Sequence, residues 1–483
     1  MNSQTQIGRR LRPVLMAILS VALPAQAQPD RRKEVHKPNI IFILADDLGY
    51  AELGSYGQKK IRTPHLDRMA KEGMRFTQFY AGNAVCAPSR CVLMTGRHGG
   101  HAFIHNNREV EPEGQHPIPE EAVTVAELLK DQGYATAAMG KWGLGPPGST
   151  GDPNRQGFDE FFGYNCQRQA HNFYPRYLWK NDAKVSLQGN EAGLTGAVYS
   201  HDVIELQAQT FIRKNQDKPF FLYLPFTIPH LALQVPEDSL KAYLGLWEDP
   251  PYDGGKGYLP HPHPRAAYAA MVTRLDRTVG RILELLKELG LEDKTLVMFS
   301  SDNGPTYDRL GGSDSEFFES AGPFRGLKGS LYEGGIRVPF LARWTGRIAA
   351  GAVNDLPLAF YDLLPTLCEV AGSPVPDNLD GVSFLPTLLS NSGQKPHLFL
   401  YWEFSGYGGQ QALRLGDWKG VRQNLETGVI DTELYNLARD PGETQNLAEL
   451  YPEIVRRIES LMADNHQPST WFPIAALDKD RTP

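Results

Sequence analysis

Five short stretches of this 483-residue chain hold polar residues able to do chemistry: Asp46-Asp47, Cys86, Lys141, His230 and Asp302-Asn303. Asp46, Asp47, Asp302 and Asn303 together offer three carboxylates and one amide oxygen. That oxygen-only set suits a hard divalent cation, with calcium preferred to magnesium. No His or Cys enters it, which argues against zinc. A cation there would neutralise an anionic group and polarise a bound nucleophile. Cys86 opens the run Cys86-Ala87-Pro88-Ser89-Arg90, in which Pro88 and Ser89 suit a helix start. A cysteine at a helix N-terminus meets the positive end of the helix dipole, which stabilises an anion or a thiolate. That much is compatible with a structural cysteine and with a plain thiolate nucleophile.

The elements that must position these residues read as helix-then-strand alternation. Apolar runs at 39–45, 135–139, 220–224 and 295–299 have the continuous, non-alternating character of strands buried on both faces. Helices are expected at 63–69, capped by Thr63 with Pro64 at its first position, and at 124–132, 198–214 and 267–289. The pattern predicts an α/β fold with a large, mostly parallel sheet covered by helices on both faces. Asp46-Asp47, Lys141, His230 and Asp302-Asn303 then follow four different strands. Ligands bind at the carboxyl edge of such a sheet. Each motif alone is weak, since acidic pairs after strands are usually solvated caps and Asp-Asn-Gly is a common turn, but four at one edge are harder to dismiss. After about residue 385 the pattern changes to short strands at 398–404, 412–415, 418–421 and 433–435 and a helix at 451–465. The expected organisation is therefore a catalytic α/β domain over 36–384 and a small C-terminal antiparallel sheet plus helix over 385–483. Pro- and Gly-rich stretches at 145–157, 249–265 and 305–326 read as long loops, which are often functional.

The segment from Cys86-Ala87-Pro88-Ser89-Arg90 to Thr95-Gly96-Arg97 resembles the signature of the formylglycine-dependent sulfatases, Cys-x-Pro-Ser-Arg followed by Thr-Gly-Arg. The resemblance extends through Gly140-Lys141-Trp142, Gly157-Phe158-Asp159, Pro229-His230, Asp302-Asn303-Gly304 and the Lys328 segment to Leu434-Tyr435-Asn436-Leu437. It implies an alkaline-phosphatase-like fold. It also implies that a maturation enzyme oxidises Cys86 to a formylglycine aldehyde, whose hydrate attacks sulfur with one hydroxyl and expels sulfate with the other. By matching motif positions, Asp46, Asp47, Asp302 and Asn303, with the modified Cys86, would hold calcium. Arg90 would steady that site, Lys141 and Lys328 would bind the sulfate oxygens, and His230 would be the general acid. One position departs from the family pattern: Gly143 stands where Gly-Lys-Trp-His-Leu-Gly has a histidine that assists sulfate elimination. His98, His101, His105 and His171 lie near matched motifs as possible substitutes, with His105 and His171 favoured. His105, His171 and Arg325 are also candidates for contacts to substrate.

The segment 167–171 with Tyr174, Tyr177 and Trp179, and Trp402-Glu403 with Tyr407 and Gln410, combine polar and aromatic groups suited to sugars, although core packing explains such aromatics equally well. The expected substrate is a sulfated glycan, such as a galactose or N-acetylgalactosamine O-sulfate, or an aryl sulfate. The rivals are a phosphodiester or phosphonate monoester hydrolase, a non-catalytic glycan-binding relative suggested by Gly143, and a plain cysteine hydrolase. Residues 1–27 carry three arginines, a short apolar run and Ala25-Gln26-Ala27, the pattern of a signal peptide cleaved after about Ala27. Export to the periplasm or beyond is expected, with no integral membrane segment after cleavage. The net charge of -7 gives no reason to expect nucleic acid as a partner. Four cysteines, Cys86, Cys91, Cys166 and Cys368, leave room for a disulfide without specifying one.

Overall fold

The computed structural model describes residues 37–478, together with Met1, Asn2, Gln4 and Gly8; the expected signal segment otherwise lies outside the described residues. Residues 37–478 pack as one compact unit. Its larger sheet has eleven strands. In chain order these are β1 (Asn39–Ala45), β2 (Met74–Tyr80), β3 (Ala135–Lys141), β4 (Glu160–Tyr164), β5 (Tyr177–Lys180), β6 (Ala183–Ser186), β7 (Phe220–Pro225), β8 (Thr295–Ser301), β9 (Arg337–Arg343), β10 (Ala352–Asn354) and β11 (Leu358–Ala359). Spatially they run β10-β2-β9-β8-β1-β7-β3-β4-β5-β6, with β11 also on β2. The centre, β8-β1-β7-β3-β4, is parallel throughout. Antiparallel pairings join β9 to β8 and β2, and β5 to β4 and β6.

The continuous apolar strands are explained by cover on both faces. In β1, Ile40, Phe42 and Leu44 enter one core, while Ile41, Ile43 and Ala45 enter the other. The first core is closed by the helices Cys86–Thr95, Val125–Asp131 and Leu363–Ala371. The second is closed by Pro64–Glu72, Ser200–Lys214 and the long helix Pro264–Glu288. Thr124 caps its helix in a reciprocal box with Glu127, at 2.8 and 3.3 Å. Thr63, expected to cap the helix at Pro64, instead accepts the Gly54 N–H at 2.8 Å and makes no cap bond. All four cysteines are buried and free. Among the described residues no helix is long and apolar enough to cross a membrane.

The second sheet is antiparallel, in the order β12 (Leu400–Phe404), β13 (Gln410–Leu415), β14 (Trp418–Arg422) and β15 (Glu433–Asn436). One face, with Tyr401, Leu413 and Leu434, packs on Ile458, Leu461 and Met462 of the helix Pro452–Asp464. The other face sends Trp402, Phe404, Ala412 and Val421 into the first core of the larger sheet. A buried ionic node joins the two sheets. The fully buried Lys419 ammonium lies 2.9 Å from Glu333 and 2.9 Å from Glu443. Glu443 also accepts the Glu333 backbone N–H at 2.6 Å. Burial, and then the neighbouring Glu333, push the Glu443 carboxyl up to about 7 despite Lys419. Removing Lys419 would leave Glu443 buried without its cation, beside a Glu333 that keeps its ion pair with Arg337, at 3.2 Å. Lys419→Met is therefore expected to cost about 3–5 kcal/mol in denaturant unfolding; a loss under about 1 kcal/mol would show that the node does not hold the sheets together.

Candidate active site

Strand register brings the acidic motifs together. Ala45 at the end of β1 pairs with Ser301 at the end of β8, so Asp46-Asp47 and Asp302-Asn303 leave the sheet side by side. Asp302 donates its N–H to the Ala45 carbonyl at 3.0 Å, and its Oδ1 accepts the Asp47 N–H at 3.1 Å. Asp47 takes a left-handed conformation, φ 63°, which Asp tolerates better than most residues. Lys141 ends β3 and His230 follows β7, so all four motifs lie at the carboxyl edge of adjacent parallel strands.

Cys86 is the first residue of the helix Cys86–Thr95, and only 1% of it is exposed. Its Sγ lies 3.4 Å from Asp46 Oδ1, 3.4 Å from Lys141 Nζ and 3.5 Å from Lys328 Nζ. Lys141 pairs with Asp46 at 2.6 Å, and Lys328 with the Asp47 carboxylate at 2.8 Å. Arg90, one helical turn after Cys86, reaches Asp302 Oδ2 through Nε at 3.1 Å and Nη2 at 2.7 Å, lies 3.6 Å from Asp46, and donates from Nη1 to the Lys141 carbonyl. Three buried carboxylates thus face three buried cations.

The electrostatics follow from burial and these neighbours. Burial alone would raise the Asp46 carboxyl, but Lys141, His230, Arg90 and Lys328 together hold it well below the usual carboxylate range. Asp302 is raised, by burial first and then by Asp46, with Arg90 opposing. The Cys86 thiol is pushed up to about 12, by burial first and then by Asp46, with Lys141 and Lys328 only partly offsetting. Burial and Asp46 thus outweigh the helix start and the two lysines, and the thiol form is favoured over the thiolate.

His230 donates from Nδ1 to the Leu231 carbonyl at 2.5 Å, which leaves Nε2 facing Asp47 Oδ2 at 3.5 Å. Burial first, then Lys328, lowers its pKa well below the usual value, so the ring is neutral. His171 stacks on it with ring centroids 4.9 Å apart, and burial, then His230, lowers its pKa to about 2. Tyr258 lies 5.2 Å from the His171 ring.

The residues fit an oxygen-ligated cation. Asn303 donates from Nδ2 to Asp47 at 2.8 Å, and its buried Oδ1 has no partner. Asp46, Asp47, Cys86 and His230 each place one ligand atom within 4.8 Å of the others, a mixed oxygen, sulfur and nitrogen group, whereas Asp302, expected as a ligand, is engaged by Arg90 and the Asp47 N–H.

Other candidates lie elsewhere. His105 is buried with Nε2 on the Ala102 carbonyl at 2.7 Å and Nδ1 3.5 Å from Glu403, in the packing beneath β12. His98 and His101 stack on each other beside Asp380. Arg325 binds Tyr435 at 3.1 Å and the Glu443 carbonyl at 3.0 Å and covers the Tyr332 ring, so it braces the second sheet and is not among the groups around Cys86. Of the histidines considered as substitutes at position 143, His171 alone stacks on His230. Trp402 is core and Gln410 is tied to the Lys328 segment, whereas Tyr407 is 62% exposed, beside Tyr307. Tyr258 and Tyr307 escaped the sequence reading, although the loops that carry them were singled out.

Residues 38–373 match the sulfatase family, and residues 327–467 match the C-terminal region of N-sulphoglucosamine sulphohydrolase. The chain is 33% identical to arylsulfatase A of Homo sapiens, over 88% of this chain and 87% of that protein. It is 30% identical to N-acetylgalactosamine-6-O-sulfatase of Bacteroides thetaiotaomicron, over 94% and 98%. Its fold is similar to that of Ps i-CgsB, with TM-score 0.74 and 31% identity over 90% and 94% of the two chains.

Arg90 ties three strand ends at once, and a lysine cannot reproduce its fork. Arg90→Lys is expected to abolish sulfate release and to cost about 3 kcal/mol of stability; unchanged thermal unfolding and turnover would refute the bridging role. With the signature cysteine, the acidic strand ends and the two lysines gathered at one sheet edge, this chain belongs to the sulfatase family and is a sulfatase.

Proposed function

We propose that the protein removes O-sulfate from a sulfated carbohydrate, using a formylglycine made from Cys86 and a calcium ion held by Asp46, Asp47, Asp302 and Asn303. The observation that carries this reading is the setting of Cys86: a thiol pushed up to about 12, yet in contact with two lysines and an aspartate. A thiol held protonated is a poor nucleophile, whereas the two lysines suit an anionic sulfate ester bound beside position 86. The formylglycine, when hydrated, supplies one oxygen to attack sulfur and a second to release it. Calcium supplies positive charge that favours the ionised hydroxyl. The all-oxygen donor set and the unpartnered Asn303 Oδ1 support a hard cation.

The chain's own residues supply the rest. Lys141 and Lys328 present two ammonium groups to the sulfate oxygens, where charge develops in the transition state. Arg90 fixes Asp302 and Asp46 so that neither reorganises during the reaction. His230, its Nδ1 proton committed to Leu231, takes a proton at Nε2 from the attacking hydroxyl and returns it to the leaving sugar oxygen. His171, stacked on it, excludes water from that ring face. The N-acetylgalactosamine-6-O-sulfatase similarity over nearly the whole chain favours a galactose-type sulfated sugar. The positively charged, apolar start of the sequence supports export to the periplasm or beyond, where such glycans are met.

Protein matured in a host with a formylglycine-generating enzyme is expected to carry an aldehyde at position 86 that reacts with hydrazides and resists thiol alkylation. An alkylatable thiol in fully active protein would sink the proposal. Cys86→Ser is expected to stop after one turnover with sulfate bound to the serine. His230→Ala is expected to slow sugar sulfates about 10²–10⁴-fold and activated aryl sulfates less, since these still lose the base at Nε2 but need no proton on the leaving oxygen. Equal losses on both would remove it as the acid. Paired assays on sulfate and phosphate esters separate this reading from a phosphodiesterase, which would prefer the latter.

A further inference from the structure

Beyond Lys141, β3 and β4 stay coupled: Trp142 and Gly143 donate their N–H groups to the Tyr164 and Asn165 carbonyls at 2.9 and 3.3 Å. Gly143 is left-handed, φ +79°, and a Cβ added there would sit 2.7 Å from Gln167 Nε2. The space that a side chain at 143 would enter is thus taken by the Gln167 amide. Gln167 is buried, and its Nε2 has no hydrogen-bond partner. Beside it, Asn165 is fully buried with neither Nδ2 nor Oδ1 partnered. Gln115 uses Oε1 to accept the Gln167 N–H at 3.4 Å, but its own buried Nε2 is free of partners. Buried amides are almost always hydrogen-bonded, and leaving them unpaired is costly. Three neighbouring amides with four unpaired atoms mark a place where a ligand completes the set. That place adjoins the strand end that carries Lys141, and the loop from Asn165 runs on to His171, stacked against His230.

We propose that Gln167 is a substrate-binding residue whose Nε2 donates a hydrogen bond to an oxygen of the sulfated sugar beside Lys141, with Asn165 and Gln115 completing a neutral amide subsite. This rests on the reading of Lys141 and Lys328 as the sulfate cradle. An uncharged donor fits there because Lys141 and Lys328 already supply the cationic charge, and amides bind hydroxyl and ester oxygens without titrating. The subsite therefore adds affinity and orientation but no proton. Its contribution is the same in ground and transition states, so its loss falls on KM.

The experiment is steady-state sulfate release from a sulfated N-acetylgalactosamine by wild type, Gln167→Met and Gln167→Glu, with thermal unfolding of each. Methionine keeps the length and removes the donor. A KM raised about tenfold, with kcat within threefold and an unshifted pH profile, is expected. Gln167→Glu, which sets a carboxylate near an anionic substrate, is expected to raise KM more, about a hundredfold. Wild-type kcat/KM in Gln167→Met would overturn the proposal, as would a loss confined to kcat or to stability. Wild type that hydrolyses phosphodiesters and no sulfate ester would instead overturn the sulfatase reading. The Gln167→Met to wild-type KM ratio on that phosphodiester would then decide the subsite on its own.

Discussion

The structure turns on one ionic cluster: Asp46, Asp47 and Asp302 against Arg90, Lys141 and Lys328, all buried around Cys86. Charges out of water are tolerable only when each is paired in good geometry. The fold meets that demand by taking the six groups from rigid places. Two pairs of residues leave adjacent strands in register, one lysine ends a strand, and the arginine projects from the helix that begins with Cys86. Because Arg90 bonds to Asp302 and to the Lys141 carbonyl, the ends of β8 and β3 cannot shift independently.

Lys328 is the exception, since it sits in a turn rather than on a strand. The second sheet restrains it. Gln410 of β13 donates to the Gly329 carbonyl at 2.8 Å and accepts the Leu331 N–H at 3.0 Å. A few residues further on, Glu333 meets Lys419 of β14, and Tyr80 links Glu333 to Arg414 of β13. The second sheet thereby fixes one of the two ammonium groups beside Cys86. Arg325, at the start of the same segment, does related work through Tyr435 and Glu443, which explains why it is not free to reach a ligand.

Sequence reading recovered what depends on local pattern. The apolar runs of β1, β3, β7 and β8 and the helices between them were legible, because strands covered on both faces are apolar throughout. The acidic motifs could be placed at strand ends, but the register that sets Asp302 beside Asp46 could not. It also passed over β2 and β9. β2 alternates polar and apolar residues, and β9 carries an internal Pro339 and arginines at both ends, so neither reads as a central strand. The histidines show the same boundary. His105 and His171 were equivalent in sequence, yet one pairs with Glu403 in the packing and the other stacks on His230, a difference set by contacts across the fold. The Gln167 amide against Gly143 was equally invisible, since only backbone conformation reveals that the space is filled from a neighbouring strand's loop.

The electrostatics bear on the proposal that Cys86 acts only after conversion. A helix start and two lysines would ordinarily lower a thiol's pKa. Here burial and Asp46 dominate, and the thiol is driven up to about 12. Exposing Cys86 or removing Asp46 would free the thiolate, but Asp46 is also one of the oxygens a hard cation requires and the partner of Lys141. The two demands conflict for sulfur. They agree for an oxygen nucleophile, which binds a hard cation and is ionised by it. Burial and Asp46 would oppose an alkoxide as they oppose the thiolate, so the proposed oxygen nucleophile would depend on the positive charge of a cation and of Lys141 and Lys328.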